Sequence, residues 1–382
     1  MNPPPSSTSS SKRARGIRPR DALYCLAGAV LVVLAFDLTV ASLFSIPADQ
    51  PLPHGPLQRF FSYGQSSESK LQRTVGEPGT EPASIVRAGW IPTELYEPPD
   101  NWDTAPQRVA VYGMSFTNHI AKELQHNHPE LAVMTRAGPG APFNHSYAMI
   151  RADPHAAQAS WVCVGILSSS LPYLQSMSGM SYALESPTPF AYPRFQAVDG
   201  TLQRIDPVID NLDTFARAFR SRDALYLQHI DRLRQEDAFF NTLFYHASFL
   251  DRSAFLSLMR RAYGKRWIAS RKAAIYNPRD GYQTDHPALA AVPLMIDNLH
   301  EQTTANQQQL LIILLHARGE PGHLDAWLSP HLEQRGIPTL STTTLFDATD
   351  TLNFIGDGHY QPELDRTLAE ALYALISNPS PD

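Results

Sequence analysis

The order of apolar and polar positions divides the chain into a long apolar run near the N-terminus and a body in which short apolar runs alternate with amphipathic ones. Residues 22–36 carry no charge, and Asp37 separates them from a second apolar run at 38–46. Between residues 108 and 167, three short apolar runs alternate with two stretches of helical spacing. Such β–α–β–α–β alternation predicts a parallel sheet covered by helices.

The same pattern predicts the individual elements. Predicted strands lie at 108–112, 131–135, 161–167, 310–315 and 337–341. Predicted helices lie at 116–125, 144–158, 324–335 and 362–376, with one more near 68–75. Residues 170–305 break the alternation and predict a mostly helical insertion. We therefore expect an α/β fold, a three-layer parallel sheet of the flavodoxin-like kind, with a large helical insertion.

The apolar run at 21–46 has about 25 residues, which is enough to cross a bilayer core of about 30 Å. Basic residues before it place the N-terminus in the cytoplasm by the positive-inside bias. We predict a single-pass anchor in the inner (cytoplasmic) membrane, with the body on the periplasmic side. The alternatives are a cleaved signal peptide, for which 41–43 lacks a small-x-small cleavage site, and an apolar helix of a soluble protein. Asp37 lies either near the outer membrane interface or beside a polar group of a partner protein.

These features divide the chain into five segments. Residues 1–20 form a disordered basic tail, 21–46 the transmembrane anchor, and 47–107 an extended lead-in rich in Pro, Gly and Ser. Residues 108–376 form the α/β domain with its insertion at about 170–305, and 377–382 form a final tail.

Composition and charge narrow the class of protein. The 382 residues are 43% hydrophobic and 18% charged, which excludes a wholly disordered or fibrous chain. The first 20 residues carry a charge of +5, so the rest carries −11 of the net −6. An acidic body makes nucleic acid a poor partner. Two cysteines exclude a disulfide framework and a cysteine-rich metal site.

Two candidate functional segments follow the first two predicted strands, where parallel sheets bind ligands. Ser115, in Gly113-Met114-Ser115, would begin a helix, where free N–H groups favour a nucleophile whose attack creates an oxyanion. The alternative is a plain N-cap serine. The second segment, 138–144, has glycines whose N–H groups suit an oxyanion hole. Its alternative is an ordinary turn in which Asn144 caps a helix.

A third segment precedes the last predicted helix and reads Asp357-Gly358-His359-Tyr360-Gln361-Pro362. Histidine is the usual general base for a serine nucleophile, and a carboxylate orients its imidazole. Two side chains that are two residues apart in an extended segment point the same way. The alternative is a solvated loop before a helix.

Together the three segments resemble the SGNH (GDSL-like) hydrolase superfamily, over residues 108–168 and 310–376. Residues 62–71 are similar to a stretch of membrane-anchored extracytoplasmic members. The resemblance implies that Ser115 is the nucleophile, that its N–H contributes to the oxyanion hole, and that His359 is the base. It also implies that Asp357 is the acid of the triad and that Gly140, or else Gly138, is the glycine donor.

Some positions depart from the family pattern. Met114 replaces the aspartate of Gly-Asp-Ser, and Leu364 replaces the glycine that follows the proline. One residue, rather than two, separates Asp357 from His359, so Asp347 or Asp350 is an alternative partner of the imidazole.

The family's asparagine donor is missing after the third strand. Ser168 or Ser169 is the candidate replacement, through its hydroxyl group. Loss of one oxyanion donor costs about 10²–10³ in rate, so an inactive descendant of the family stays open. Asn144 is a further candidate binding residue.

The remaining candidates are less specific. No acid completes a metal site with His119, His126 and His128, so we expect no metal and no cofactor. His316 lines the pocket or lies in a capped loop. The basic stretch 252–272 faces anionic lipid, an acidic glycan or solvent. The aromatic residues at 239–249 form either part of the core or a platform for binding sugars.

Two functions follow from these features. The first is a membrane-anchored serine esterase or O-acyltransferase acting on acyl groups of a cell-envelope polysaccharide. Its partners would be the acylated polysaccharide or another ester, and a membrane-bound protein that donates acyl groups. The alternative is a non-catalytic envelope module that binds glycan or a membrane partner through its insertion.

Overall fold

The computed structural model describes residues 18–47, 50–91 and 97–378. The tails expected at 1–20 and 377–382 lie almost wholly outside these ranges. The helices are α1 (Pro19–Phe44), α2 (Pro56–Ser62), α3 (Ser67–Val75), α4 (Ser84–Arg87), α5 (Ser115–Asn127), α6 (Phe143–Ala152), α7 (Gly179–Tyr182), α8 (Leu212–Ser221), α9 (Ala224–Glu236), α10 (Thr242–Tyr245), α11 (Ala254–Ala273), α12 (Pro287–Ala305), α13 (His323–Gln334) and α14 (Pro362–Ser377). The strands are β1 (Gln107–Gly113), β2 (Leu131–Ala137), β3 (Trp161–Leu167), β4 (Arg194–Val198), β5 (Thr201–Ile205), β6 (Tyr276–Asn277), β7 (Gly281–Tyr282), β8 (Gln309–Leu315) and β9 (Thr339–Ser341).

Five of these strands form one parallel sheet in the order β2-β1-β3-β8-β9. Counted within the sheet, this is the flavodoxin-like order 2-1-3-4-5, and the α/β prediction is confirmed. The register aligns Gly113 with Ala137 and Leu167 with Leu315. Strands β1, β2, β3 and β8 therefore end at the same edge of the sheet.

The sheet separates two apolar layers because successive side chains of a strand point to opposite faces. In β1, Val109 and Val111 pack with α5 and α14, whereas Ala110 and Tyr112 pack with α6, α12 and α13. Strand β8 alternates in the same way. Buried on both faces, its LLIILL run is the continuous apolar sequence expected of a central parallel strand.

The insertion lies between β3 and β8 and contains α7 to α12. It also contains two hairpins, β4–β5 and β6–β7, that the helical prediction did not include. Asp199 and Gly200 connect β4 to β5, and both have positive φ. Asp-Gly is a strong hairpin signal, so this part of the insertion was readable from the sequence.

The lead-in was predicted to be extended with one helix near 68–75. That helix is α3, but α2 and α4 are further short helices, and the lead-in is bonded to the insertion. Ser66 donates hydrogen bonds from its N–H and hydroxyl to Asp251, at 2.6 and 3.1 Å. Asp251 also pairs with the buried guanidinium of Arg260. Glu68 pairs with Arg222 and accepts the N–H of Ala247 at 2.6 Å. These buried polar contacts hold the lead-in in one conformation.

Within the described residues, α1 is the one helix whose length and composition would let it cross a membrane. Its C-terminal part packs on α2 and α11, with the rings of Phe44 and Phe61 stacked at 5.4 Å. Asp37 Oδ1 accepts the backbone N–H of Phe255 at 2.9 Å. Asp37 therefore has a partner within this chain, at the first turn of α11, where the N–H groups have no acceptor inside the helix.

Replacing Asp251 tests the connection between lead-in and insertion. We expect Asp251→Asn to lower the free energy of unfolding by about 3 kcal/mol or more, because Arg260, 2% exposed, loses its carboxylate. Urea unfolding of the full chain in mild detergent measures this loss. The control Asp231→Asn removes an exposed ion pair with Arg234 and should cost no more than about 1 kcal/mol. Equal losses in the two variants would contradict the argument.

Candidate active site

The connection between β1 and α5 positions Ser115. Strand β1 ends at Gly113, and Ser115 is the first residue of α5. A side chain at position 113 would collide with Thr117, so glycine lets the first turn of α5 lie close over the strand end. The N–H groups of that first turn have no acceptor within the helix and point to the carboxyl edge of the sheet.

His359 reaches Ser115 from a tight turn just before α14. His359 Nε2 lies 2.7 Å from Ser115 Oγ, across 244 positions of sequence. The turn is closed by hydrogen bonds from the Ile355 N–H to the His359 carbonyl at 2.8 Å and from the Gly358 N–H to the Ile355 carbonyl at 3.0 Å. Gly358 has φ of +96°, which a residue with a side chain rarely adopts.

Asp357 holds the other side of the imidazole. Its Oδ1 lies 3.0 Å from His359 Nδ1 and accepts the backbone N–H of the same residue at 3.1 Å. Those two hydrogen bonds, the backbone one first, lower the pKa of Asp357. An ionised Asp357 favours a proton on Nδ1, which leaves Nε2 free to accept from Ser115. The two side chains meet because the chain turns at Gly358, and not because the segment is extended.

The other two candidate carboxylates are engaged elsewhere. Asp347 accepts the N–H and the hydroxyl of Thr349, at 2.8 and 2.7 Å. Asp350 accepts the N–H of Leu352 at 2.9 Å. Of the three, Asp357 is the one placed against the imidazole.

Helix α5 also packs against the imidazole ring. The ring of His359 lies between Phe116 and His119, with centroid distances of 4.6 and 4.9 Å. Tyr360 packs edge-on against Phe116, and its hydroxyl donates to the carbonyl of His316 at 2.9 Å. The ring of His316 is buried against Thr342, Glu320 and Asp325, so it is the main chain of His316 that supports the turn.

The glycine-rich turn after β2 offers one free N–H. The Gly138 N–H donates to the Gly113 carbonyl at 3.1 Å, so it is not free to bind an oxyanion. Gly140 is exposed, and no described residue accepts a hydrogen bond from its N–H. Its carbonyl accepts the hydroxyl of Tyr182, from the insertion, at 3.2 Å. The N–H groups of Ser115 and Gly140 are thus the candidate oxyanion donors.

The side chains of Asn144 and Ser168 are bonded to residues other than Ser115. The buried amide of Asn144 donates to the Pro193 carbonyl at 3.1 Å and therefore holds the insertion against α6. Ser168 Oγ accepts the N–H of Ala317 at 2.9 Å, across the ends of β3 and β8. These contacts give both side chains a packing role. Ser169 lies next to Ser168 on the wall of a small cavity at those strand ends.

Sequence reasoning missed the pair formed by His119 and Asp365. His119 Nδ1 lies 3.5 Å from the buried carboxyl of Asp365. Burial, and then the charge of Glu123, raises the pKa of Asp365 to about 7. Burial, followed by the charges of His359 and Lys122, lowers the pKa of His119. The sequence feature that could have indicated a role for His119 is its spacing of four residues from Ser115, which puts both side chains on one face of a helix.

Two of the three histidines considered as metal ligands, His119 and His128, have different partners. His128 lies 3.2 Å from Glu370 and stacks on Tyr373, far along α5 from the His119 contact. Among the described residues, no cluster of three or more His, Cys, Asp or Glu side chains has the geometry of a metal site.

Comparisons with known proteins add little to this geometry. No family model matches the sequence, and no curated protein matches it. Among solved structures, the chain is similar to a Bacteroides fragilis protein proposed to be an acylhydrolase. The identity is 11%, the TM-score is 0.33, and the match covers 75% of this chain and 91% of that one. A TM-score this low gives no basis for assigning fold or activity.

Replacing Asp365 tests the raised pKa beside the site. In the folded protein this carboxyl titrates near pH 7, and in the unfolded chain near 3.9. The folded state binds the extra proton between these values, so stability falls as the pH rises from about 4 to 7 and stays lower above. We expect Asp365→Asn to raise the melting temperature at pH 8 by about 2–4 °C, equivalent to about 1 kcal/mol, and to leave it unchanged at pH 4.

Thermal unfolding of the full chain at both pH values measures this difference. The matched control is Glu363→Gln, an exposed position in the same turn of α14, which should not gain stability at pH 8. A shift for Asp365→Asn that is the same at pH 4 and pH 8 would count against the assigned titration.

Proposed function

We propose that this protein is an SGNH-type serine esterase or O-acyltransferase that uses Ser115, His359 and Asp357. The observation that carries the proposal is the 2.7 Å separation of Ser115 Oγ from His359 Nε2, with Asp357 on the opposite ring nitrogen. A nucleophile, a base and an orienting carboxylate in series are what ester chemistry by serine requires.

The geometry supports a two-step reaction. Ser115 Oγ attacks the carbonyl carbon of an ester while His359 Nε2 takes the hydroxyl proton. The N–H groups of Ser115 and Gly140 bind the oxyanion of the tetrahedral intermediate. The intermediate collapses, and the leaving alkoxide takes the proton from His359. Water, or a sugar hydroxyl activated by His359, then attacks the acyl-enzyme, which gives hydrolysis or transfer respectively.

The apolar helix α1 supports the placement of this chemistry at a membrane. A single-pass anchor in the inner membrane, with a cytoplasmic N-terminus, would hold the α/β domain on the periplasmic side. There the accessible esters include acyl groups on cell-envelope polysaccharide. A transferase would also need a membrane-bound protein that supplies activated acyl groups.

A non-catalytic envelope module is the second candidate, and the oxyanion hole favours it. Among the described residues neither Asn144 nor Ser168 makes a hydrogen bond to Ser115, so the candidate donors that remain are the backbone N–H groups of Ser115 and Gly140. Loss of one donor from such a hole costs about 10²–10³ in rate, which slows the reaction without abolishing it.

Replacing the nucleophile decides between the two candidates. We expect the full chain in mild detergent to hydrolyse 4-nitrophenyl acetate, and Ser115→Ala to lower kcat/KM by about 10³-fold or more, because the attacking oxygen is gone. Intact mass after incubation with the ester should show an acyl adduct that the variant lacks. The control Ser270→Ala, on exposed α11, should keep full activity. If Ser115→Ala and the native chain hydrolyse the ester at the same rate, the enzymatic proposal is wrong.

The exposure of Asp357 sets the size of its contribution. Replacement of a buried triad aspartate by asparagine costs about 10⁴ in kcat. Asp357 is 64% exposed, so solvent screens its charge. We therefore expect Asp357→Asn to lower kcat by about 10–100-fold with KM little changed, measured by steady-state hydrolysis of the same ester. A loss near 10⁴ would contradict this reasoning.

A further inference from the structure

Three cavities follow one another along one face of the insertion. The central one, of about 510 Å³, lies between α11 and residues 173–186. It shares Tyr63 and Glu185 with a cavity of about 280 Å³ beside α2, and that cavity shares Ser62 and Arg73 with a further cavity against the end of α1. It shares Lys272 with a cavity of about 160 Å³ at the ends of β3 and β8. We call the three together the basic groove.

The charge of the basic groove is opposite to that of the body. Basic side chains in its lining outnumber acidic ones by seven to two, although the chain beyond residue 20 has a net charge of −11. Glu185 pairs with Arg261 and Lys265 at 2.7 and 3.0 Å. Lys272, at the junction of two cavities, has no carboxylate partner among the described residues. A negatively charged ligand would supply that partner.

Aromatic side chains line the central cavity. The rings of Tyr173 and Tyr182 stack at 4.3 Å, and Lys272 Nζ lies 5.3 Å from the centre of the Tyr173 ring. Burial raises the pKa of Tyr173 to about 12, so its hydroxyl stays protonated as a donor. Apolar ring surface beside hydroxyl and cationic donors suits a saccharide that carries acidic groups.

The groove ends beside the candidate active site. Tyr182 donates its hydroxyl to Gly140, the candidate oxyanion residue. Arg318, in the cavity at the strand ends, donates to the Ile355 carbonyl at 2.5 Å, and the Ile355 N–H donates to His359. A chain lying in the groove would thus arrive at the turns that carry Gly140 and His359.

We propose that the basic groove binds an anionic polysaccharide chain and leads it from the membrane side of the protein to Ser115. The proposal rests on the proposed function, whose substrate class it narrows. A lipid headgroup explains the groove less well, because it would occupy only the cavity beside α2. The basic lining instead continues through Lys265 and Lys272 to the strand ends.

Binding to an inactive chain tests the proposal without relying on catalysis. The probe is a fluorescently labelled oligogalacturonate of about ten sugars, titrated at low salt against the full-length Ser115→Ala chain in neutral detergent. Adding Lys265→Gln and Lys272→Gln should raise Kd at least about tenfold, because two charge-assisted contacts are lost. The matched control, Arg266→Gln with Arg271→Gln, removes the same charge from α11 outside the groove and should change Kd less than twofold.

Each result has a definite meaning. A neutral malto-oligosaccharide of the same length should bind at least tenfold more weakly, and unchanged melting temperatures should show that all variants fold. Equal weakening by the two double variants, or no binding of the oligogalacturonate, would overturn the proposal. So would binding of anionic phospholipid vesicles that Lys265→Gln with Lys272→Gln abolishes, since the groove would then be a lipid site. Failure of the esterase proposal would appear separately, as unaltered hydrolysis by Ser115→Ala.

Discussion

The packing of α5 against α14 on one face of the sheet is the constraint on which the site depends. Ile120 and Leu124 of α5 and Leu368 and Leu372 of α14 are fully buried in the same apolar layer. Ser115 begins the first helix, and His359 lies three residues before the second. When both helices are held on the same strands, their N-terminal ends meet at the carboxyl edge of the sheet. The short hydrogen bond between hydroxyl and imidazole is thus a consequence of apolar packing far from the reacting atoms.

The lead-in performs a similar task for the insertion. Residues 62–71 bond to α7, to α11 and to the connecting residues Arg222, Ala247 and Asp251, so the lead-in holds the insertion in place next to α1. Lys70, for example, donates to carbonyls of Tyr63 and Leu184 at 2.8 and 2.5 Å. Asp37 of α1 accepts a hydrogen bond from α11, so an anchored protein would hold its insertion directly against the membrane surface.

The local sequence pattern was enough to predict the strands of the sheet. The features that it did not predict depend on contacts between segments that are distant in sequence. Strands such as 161–167 carry their signal in a continuous apolar run, and the helix at 362–376 has a proline at its start. The sequence around Asn144 does not show that its amide donates to the Pro193 carbonyl, and the sequence around Gly138 does not show that its N–H donates to the Gly113 carbonyl. In both cases the partner lies on another segment of the chain. The order of the segments along the chain predicts that Ser115 and His359 lie near each other. The distance between their side chains follows only from the register of the sheet.

The two carboxylates beside the histidines differ in a way that suits the site. Asp357 is exposed and its pKa is lowered, so it is ionised at neutral pH. Asp365 is buried, and its pKa of about 7 leaves it largely uncharged at slightly acidic pH. If Asp365 were ionised as well, its negative charge would lie against His119, whose ring packs on that of His359, and would favour a proton on His119. Burial of Asp365 opposes that ionisation, and opposite shifts in neighbouring acids commonly separate their roles in an active site. The fold thus places one charged carboxylate on His359 and restricts the ionisation of the other.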